Sequence, residues 1–130
     1  MLKQDIKNII KDWSVLFVDD DEFVLETMKD LLPYLFKESH FASNGIEGIE
    51  LFNQQNIDLI ITDFSMPKMN GLDMITTIKQ SNPNIKVICV SGHNEKGFVD
   101  NLEIFSGNIM IKPISSAVLY NTLERVIKHG

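Results

Sequence analysis

The 130-residue chain carries 44% hydrophobic and 23% charged residues, a balance that excludes a disordered or fibrous polymer and fits one globular domain able to bury its own core. A formal net charge of −6 argues against a broad grip on nucleic acid or anionic lipid, so direct DNA binding is not expected. The N-terminus lacks a signal-peptide core and no apolar run reaches the roughly 20 residues of a membrane span, which makes the cytoplasm the expected location and a membrane an unexpected partner.

Leu2, Ile6, Ile9 and Ile10 fall on one helical face. They predict a short helical extension over residues 1–12, packed either on the domain's own side or against a partner or second copy; the domain proper is expected over 13–130. Val15 to Val18 reads as a buried strand, followed by a helix carrying Phe23, Leu25, Met28, Leu31 and Leu32. A weaker edge strand is expected from Lys37 to Ser43, then a helix with Ile46, Ile49, Leu51 and Phe52, then a strand from Ile57 to Thr62. Asn70-Gly71 turns into a helix with Leu72, Ile75 and Ile78, which Ser81-Asn82-Pro83-Asn84 should stop. Lys86 to Val90 is the next strand, and the single Cys89 inside its apolar run reads as a buried, inert thiol. A less regular helix from Glu95 to about Ile104 contains Gly97 and is expected to be the least stable. Ile109 to Ile111 is the last strand, and a helix starting near Ser115 runs through Val118, Leu119, Leu123, Val126 and Ile127. Five strands, mostly apolar throughout rather than alternating and each followed by a helix, predict an α/β fold with a parallel sheet covered on both faces.

In such a sheet the ligand site lies outside the carboxyl ends of the strands. The first strand ends in Asp19-Asp20-Asp21-Glu22, the third in Asp63, the fourth in Ser91-Gly92 and the fifth in Lys112-Pro113. Asp21 and Glu22 read as residues of a helix N-terminus. Carboxylates gathered at one rim repel unless a cation sits among them, and a hard divalent metal such as Mg²⁺, which takes oxygen ligands and shares its sphere with phosphate, meets that need. Asp63 can then act as a nucleophile toward phosphorus, with metal and Lys112 neutralising charge and Ser91 donating to a phosphoryl oxygen. His93 borders this rim and reads as a solvated loop histidine, or alternatively as an influence on dephosphorylation. His40 and His129 have no spacing that would make a zinc site.

From Trp13 onward the sequence resembles the receiver domain of two-component response regulators. The resemblance rests on Val15-Leu16-Phe17-Val18-Asp19-Asp20-Asp21, on Asp58 to Gly71 with Asp63-Phe64-Ser65-Met66-Pro67-Lys68-Met69-Asn70-Gly71, on Val87 to Gly92, and on Lys112-Pro113. It implies a flavodoxin-like, doubly wound sheet of strand order 2-1-3-4-5. It implies Asp63 as phosphoacceptor; Asp20, Asp63 and the Ser65 backbone carbonyl as direct ligands of Mg²⁺ or Mn²⁺, with Asp19 acting through water; Ser91 and Lys112 as phosphoryl ligands; and a cis Lys112-Pro113 peptide. The implied partners are a histidine kinase or histidine phosphotransfer protein upstream, and downstream an effector or an output domain outside this chain. A monomer or a weak, phosphorylation-dependent dimer is expected.

Ile109 stands where the family often has Tyr or Phe, so the usual aromatic switch that works with Ser91 is missing, Gly92 replaces a frequent Ala, and the stretch from Ser91 to Lys112 is slightly short. Two other readings compete. Asp19-Asp20-Asp21 has the Asp-x-Asp spacing of haloacid-dehalogenase-like phosphatases, but beyond Lys112 the only acidic residue is Glu124, where those enzymes need a pair. The other is a receiver-shaped interaction module that is never phosphorylated, against which Asp19, Asp20, Asp63, Ser91 and Lys112 are all intact. Neither is favoured over a phosphoacceptor switch that is not a multiple-turnover enzyme.

Overall fold

Three runs of consecutive apolar residues are buried almost throughout: β1 (Ser14–Val18), β3 (Leu59–Asp63) and β4 (Lys86–Ser91). Such strands need cover on both faces. The computed structural model, which describes residues 1–100 and 102–129, adds β2 (Glu38–Ala42) at one edge and β5 (Ile109–Ile111) at the other, all pairs parallel, in the order β2-β1-β3-β4-β5. Between the strands run α2 (Glu22–Leu31), α3 (Gly45–Gln54), α4 (Gly71–Ser81) and the short α5 (Lys96–Val99), with α1 (Lys3–Ile10) before the sheet and α6 (Ser116–His129) after it. This is the doubly wound arrangement that the motif pattern implied.

The pleat divides the core in two. Val15, Phe17, Leu59, Ile61, Ile88, Val90 and Met110 face one side with Leu25, Met28, Leu119, Leu123 and Val126 of α2 and α6. Leu16, Val18, Ile60, Val87 and Cys89 face the other with Met74, Ile75 and Ile78 of α4, and with Val99 and Phe105. Burial pushes the Cys89 thiol far above its ordinary range and so keeps it inert. Side-chain caps fix the helix starts that matter for the rim: Asp21 accepts from the amides of Phe23 and Val24, Asn44 from Glu47, and Asn70 from Asp73.

The extension helix packs on the domain's own side, with Ile6 and Ile10 buried in the α2/α6 core. Leu2 departs from the predicted face: it is 73% exposed and serves as the N-cap position of α1. Phe23 was likewise expected inward and is 79% exposed, because the Asp21 cap sets the start of α2 and turns Leu25 and Met28, not Phe23, to the sheet. The third strand begins at Leu59 rather than Ile57, since Asp58 bonds Ser14 through both its backbone amide and its carboxylate. The predicted helix over 95–104 is the largest correction. Among the described residues it is the single turn of α5 and a 3₁₀ turn at Glu103–Phe105; Asn101 lies outside them. A glycine in a four-residue helix whose Phe98 ring points outward leaves too little buried apolar surface to continue it.

Candidate functional site

The register of the parallel ladder decides which residues share the rim. Asp63 pairs with Val90 and Ser91 with Ile111, so the last residues of β3 and β4 stand one step apart and Lys112 leaves β5 beside Ser91. The Lys112 amide donates to the Ser91 carbonyl at 3.0 Å, and the peptide to Pro113 is cis. Asp19 leaves β1 with its amide bonded to the Ala42 carbonyl at 3.1 Å. Asp19, Asp63 and Ser91 are buried, while Asp20 points to solvent.

Lys112 Nζ donates to Asp63 Oδ2 at 3.0 Å and lies 3.5 Å from Asp19 Oδ2. Asp19 Oδ1 accepts from the Asp21 amide, but its Oδ2 is buried with no hydrogen bond of its own, and so is Ser91 Oγ. The Lys112 ammonium only partly compensates Asp19 Oδ2, and a buried hydroxyl without a partner, as at Ser91, is costly unless a ligand satisfies it. One oxygen each from Asp19, Asp20 and Asp63 lies within 4.8 Å of the others, a spacing that can hold a metal ion.

The electrostatics point the same way. Burial, reinforced by the charges of Asp19 and Asp20, pushes the Asp63 carboxyl up to about 6 despite the Lys112 hydrogen bond. Burial also raises Asp19 against the pull of the Asp21 amide and Lys112. For Lys112 burial works downward, yet the hydrogen bond and charge of Asp63, with the charge of Asp19, raise it overall. Carboxylates shifted up beside an ammonium also shifted up describe a site with too little positive charge for its anions. A hard cation held by the three aspartates fits that deficit, and a tetrahedral anion bearing oxygen acceptors fits Lys112 and the Ser91 hydroxyl.

Asp19, Asp20, Asp63 and Lys112 converge here, and Ser91 ends the strand beside Asp63. Ser65 lies two residues beyond Asp63 on the β3–α4 loop, and Ile109 packs, half-buried, on the α4/α5 face of β5. His93 is exposed on the β4–α5 loop. Two residues have a part near the rim that the sequence did not reveal. Gly71 passes so close to β3 that a Cβ there would stand 2.2 Å from the Asp63 carbonyl oxygen; the Asn-Gly pair marked a turn, not this approach. Glu95 was taken as a helix start, whereas its carboxylate accepts from the Ser65 hydroxyl and, at 3.0 Å, from the Gly92 amide.

Residues 15–124 match the family model of the response regulator receiver domain. The chemotaxis protein CheY of Thermotoga maritima is 29% identical over 116 residues, which span 88% of this chain and 97% of that protein. The transcriptional regulatory protein HptR of Staphylococcus aureus is 28% identical over 120 residues, 89% of this chain but 47% of that longer protein. A response regulator receiver domain protein from Clostridium thermocellum superimposes with a TM-score of 0.77 at 30% identity, covering 89% of this chain and 94% of that one. With its strand order, its converging strand-end carboxylates and a family match over most of its length, this chain belongs to the response regulator receiver domains of two-component systems.

Proposed function

We propose that this chain is a phosphoacceptor switch in which Asp63 receives a phosphoryl group from a phosphohistidine on a histidine kinase or phosphotransfer protein. The observation that carries the reading is the Lys112 ammonium bonded to Asp63 and paired with the buried Asp19 carboxylate, beside the buried Ser91 hydroxyl, which has no hydrogen-bond partner. Asp63 Oδ attacks phosphorus, the phosphorus–nitrogen bond breaks, and its electron pair leaves with the imidazole. Lys112 neutralises charge on the transferring group and Ser91 donates to one of its oxygens. Asp19, Asp20, Asp63 and the Ser65 carbonyl would hold Mg²⁺ or Mn²⁺, which when bound would supply charge neutralisation for the transfer. Water later cleaves the acyl phosphate, returning the Asp63 carboxylate and inorganic phosphate, so the chemistry is self-phosphorylation and self-dephosphorylation rather than turnover of a separate substrate.

In this reading residues 13–130 form the receiver and residues 1–12 an extension, the protein works in the cytoplasm, and a downstream effector or output domain reads its state. With Ile109 offering neither ring nor hydroxyl, the response passes through the Ser91–His93 loop and the segment after it. Incubation with acetyl phosphate and Mg²⁺ followed by intact mass tests the assignment. The parent gains the mass of one phosphoryl group and Asp63→Asn does not; labelling of the variant at the parental rate refutes it.

A further inference from the structure

The donors at this rim are few. To the Lys112 ammonium and the Ser91 hydroxyl the two flanking loops add the Gly92 amide, which directly follows Ser91, and the Ser65 hydroxyl, two residues beyond Asp63. The last two are already taken by one side chain: Glu95 Oε1 accepts from Gly92 N at 3.0 Å, and Glu95 Oε2 accepts from Ser65 Oγ. One carboxylate thereby ties the β4–α5 loop to the β3–α4 loop. The tie is extended by the next turn of the chain, where the exposed Phe98 ring meets Phe64 edge-on at 5.8 Å, and Phe64 in turn meets the buried Phe105 at 6.4 Å. Phe64 immediately follows Asp63.

We propose that Glu95 is an internal stand-in for the phosphoryl group: its carboxylate occupies donors at the rim in the unphosphorylated protein, and the dianion formed on Asp63 evicts it. The inference rests on Asp63 as phosphoacceptor. A phosphoryl group bound to Asp63 and reaching Ser91 lies beside the first amide of the β4–α5 loop, which Glu95 holds. Two anions compete for that donor and repel each other across a partly desolvated rim, and the phosphoryl group, anchored by a covalent bond and Lys112, is the one that stays. Release of Glu95 frees the turn that carries Phe98 from Phe64, which couples the acceptor to α5 and the 3₁₀ turn without an aromatic residue at position 109. Glu95 is a positioning residue in this scheme and touches no reacting atom.

The test compares the parent with Glu95→Ala and Glu95→Gln, by calorimetric titration of beryllofluoride in excess Mg²⁺ and by amide exchange of the unliganded proteins. Glu95→Ala is expected to bind beryllofluoride about five- to tenfold more tightly, the scale of one lost competing contact. Glu95→Gln, which keeps an acceptor but loses the charge, is expected to fall between. Unliganded Glu95→Ala should exchange over residues 92–105 as the beryllofluoride-bound parent does, a result that loss of a merely structural contact would pair with weaker, not tighter, binding. Unchanged or weakened affinity in both variants, or parental protection over 92–105, overturns the stand-in while leaving Asp63 as acceptor. A parent that binds no beryllofluoride and gains no phosphoryl mass with acetyl phosphate overturns both.

Discussion

Asp63 carries a charge that its surroundings resist. Its carboxyl is raised from 3.8 to about 6, chiefly by burial, so between these values the folded protein holds a proton that the unfolded chain releases. A carboxyl raised on folding contributes stability that is present at low pH and lost as pH climbs through the folded value. The metal-free parent therefore loses on the order of 2 kcal/mol from this group between about pH 4 and pH 7. Asp63→Asn removes that loss: in EDTA its denaturation midpoint should match the parent's near pH 4 and exceed it at pH 7.5. Added Mg²⁺ should narrow the gap at pH 7.5 by stabilising the parent. Asp20→Ala, which deletes the solvent-facing carboxylate of the cluster, is expected to weaken Mg²⁺ binding at least about tenfold in calorimetry. Trp13 is a poor reporter of that binding, because it precedes β1 and stacks under the Lys86 ammonium at the opposite end of the sheet. Gly71→Ala places a methyl group against the Asp63 carbonyl, which is backbone and cannot swing aside. It should cost about 3 kcal/mol in urea denaturation and slow acetyl phosphate labelling as well, since the displaced atom belongs to the acceptor residue.

Among the elements, the stretch between β4 and β5 is the least held. α2, α3 and α4 each run for ten or eleven residues with a side-chain N-cap, whereas α5 is a single turn and the 3₁₀ turn after it has no side-chain cap and ends on Ser106 at φ 52°. Val99 and Phe105 are its buried anchors. Weakly packed segments open at low free energy and respond first to a ligand. Amide exchange with beryllofluoride and Mg²⁺ is therefore expected to change most between Ser91 and Ser106 and less at Ile109 to Ile111, where Ile109 packs on the same face of the sheet as Phe105. Ile109→Tyr should leave the rate of Asp63 labelling within about twofold, because position 109 lies a full strand length behind Lys112 and not at the rim. Exchange that changed only beside Asp19, Asp20 and Asp63 would contradict this switch surface.

At the scale of the whole molecule, α1 is part of the α2/α6 core rather than an appendage. Ile10 is fully buried, Ile6 nearly so, the α1 residue Lys3 stacks its ammonium on Tyr120 at 5.2 Å, and the Met1 amino group pairs with Glu124 on α6. The site lies at the carboxyl ends of the strands, whereas α1 leads into the start of β1. Ile10→Ala should therefore lower stability by about 3 kcal/mol through cavity formation while leaving the initial rate of phosphorylation by acetyl phosphate unchanged at a temperature where the variant is folded. A matched loss of labelling would mean that α1 supports the rim as well as the core.

The strand runs, their parallel pairing and the rim were legible in the sequence because buried parallel strands are apolar at every position. Any polar residue that ends one, such as Asp19, Asp63, Ser91 or Lys112, is conspicuous and is sent by the sheet to one edge. The inward-facing residues of the helices were only partly legible: Phe23 satisfies the helical period yet faces solvent, since a single cap rotates the whole helix. Gly97 and sparse apolar periodicity already marked the 95–104 helix as the least stable, but tertiary structure decided how much of it forms, since buried area sustains only α5 and a 3₁₀ turn. Tertiary structure alone decided the 2.2 Å approach at Gly71 and the reach of Glu95 across 30 residues of sequence to Ser65. Such contacts join loops that no local pattern relates, and their geometry exists only once the register of β3 and β4 has brought the two strand ends side by side.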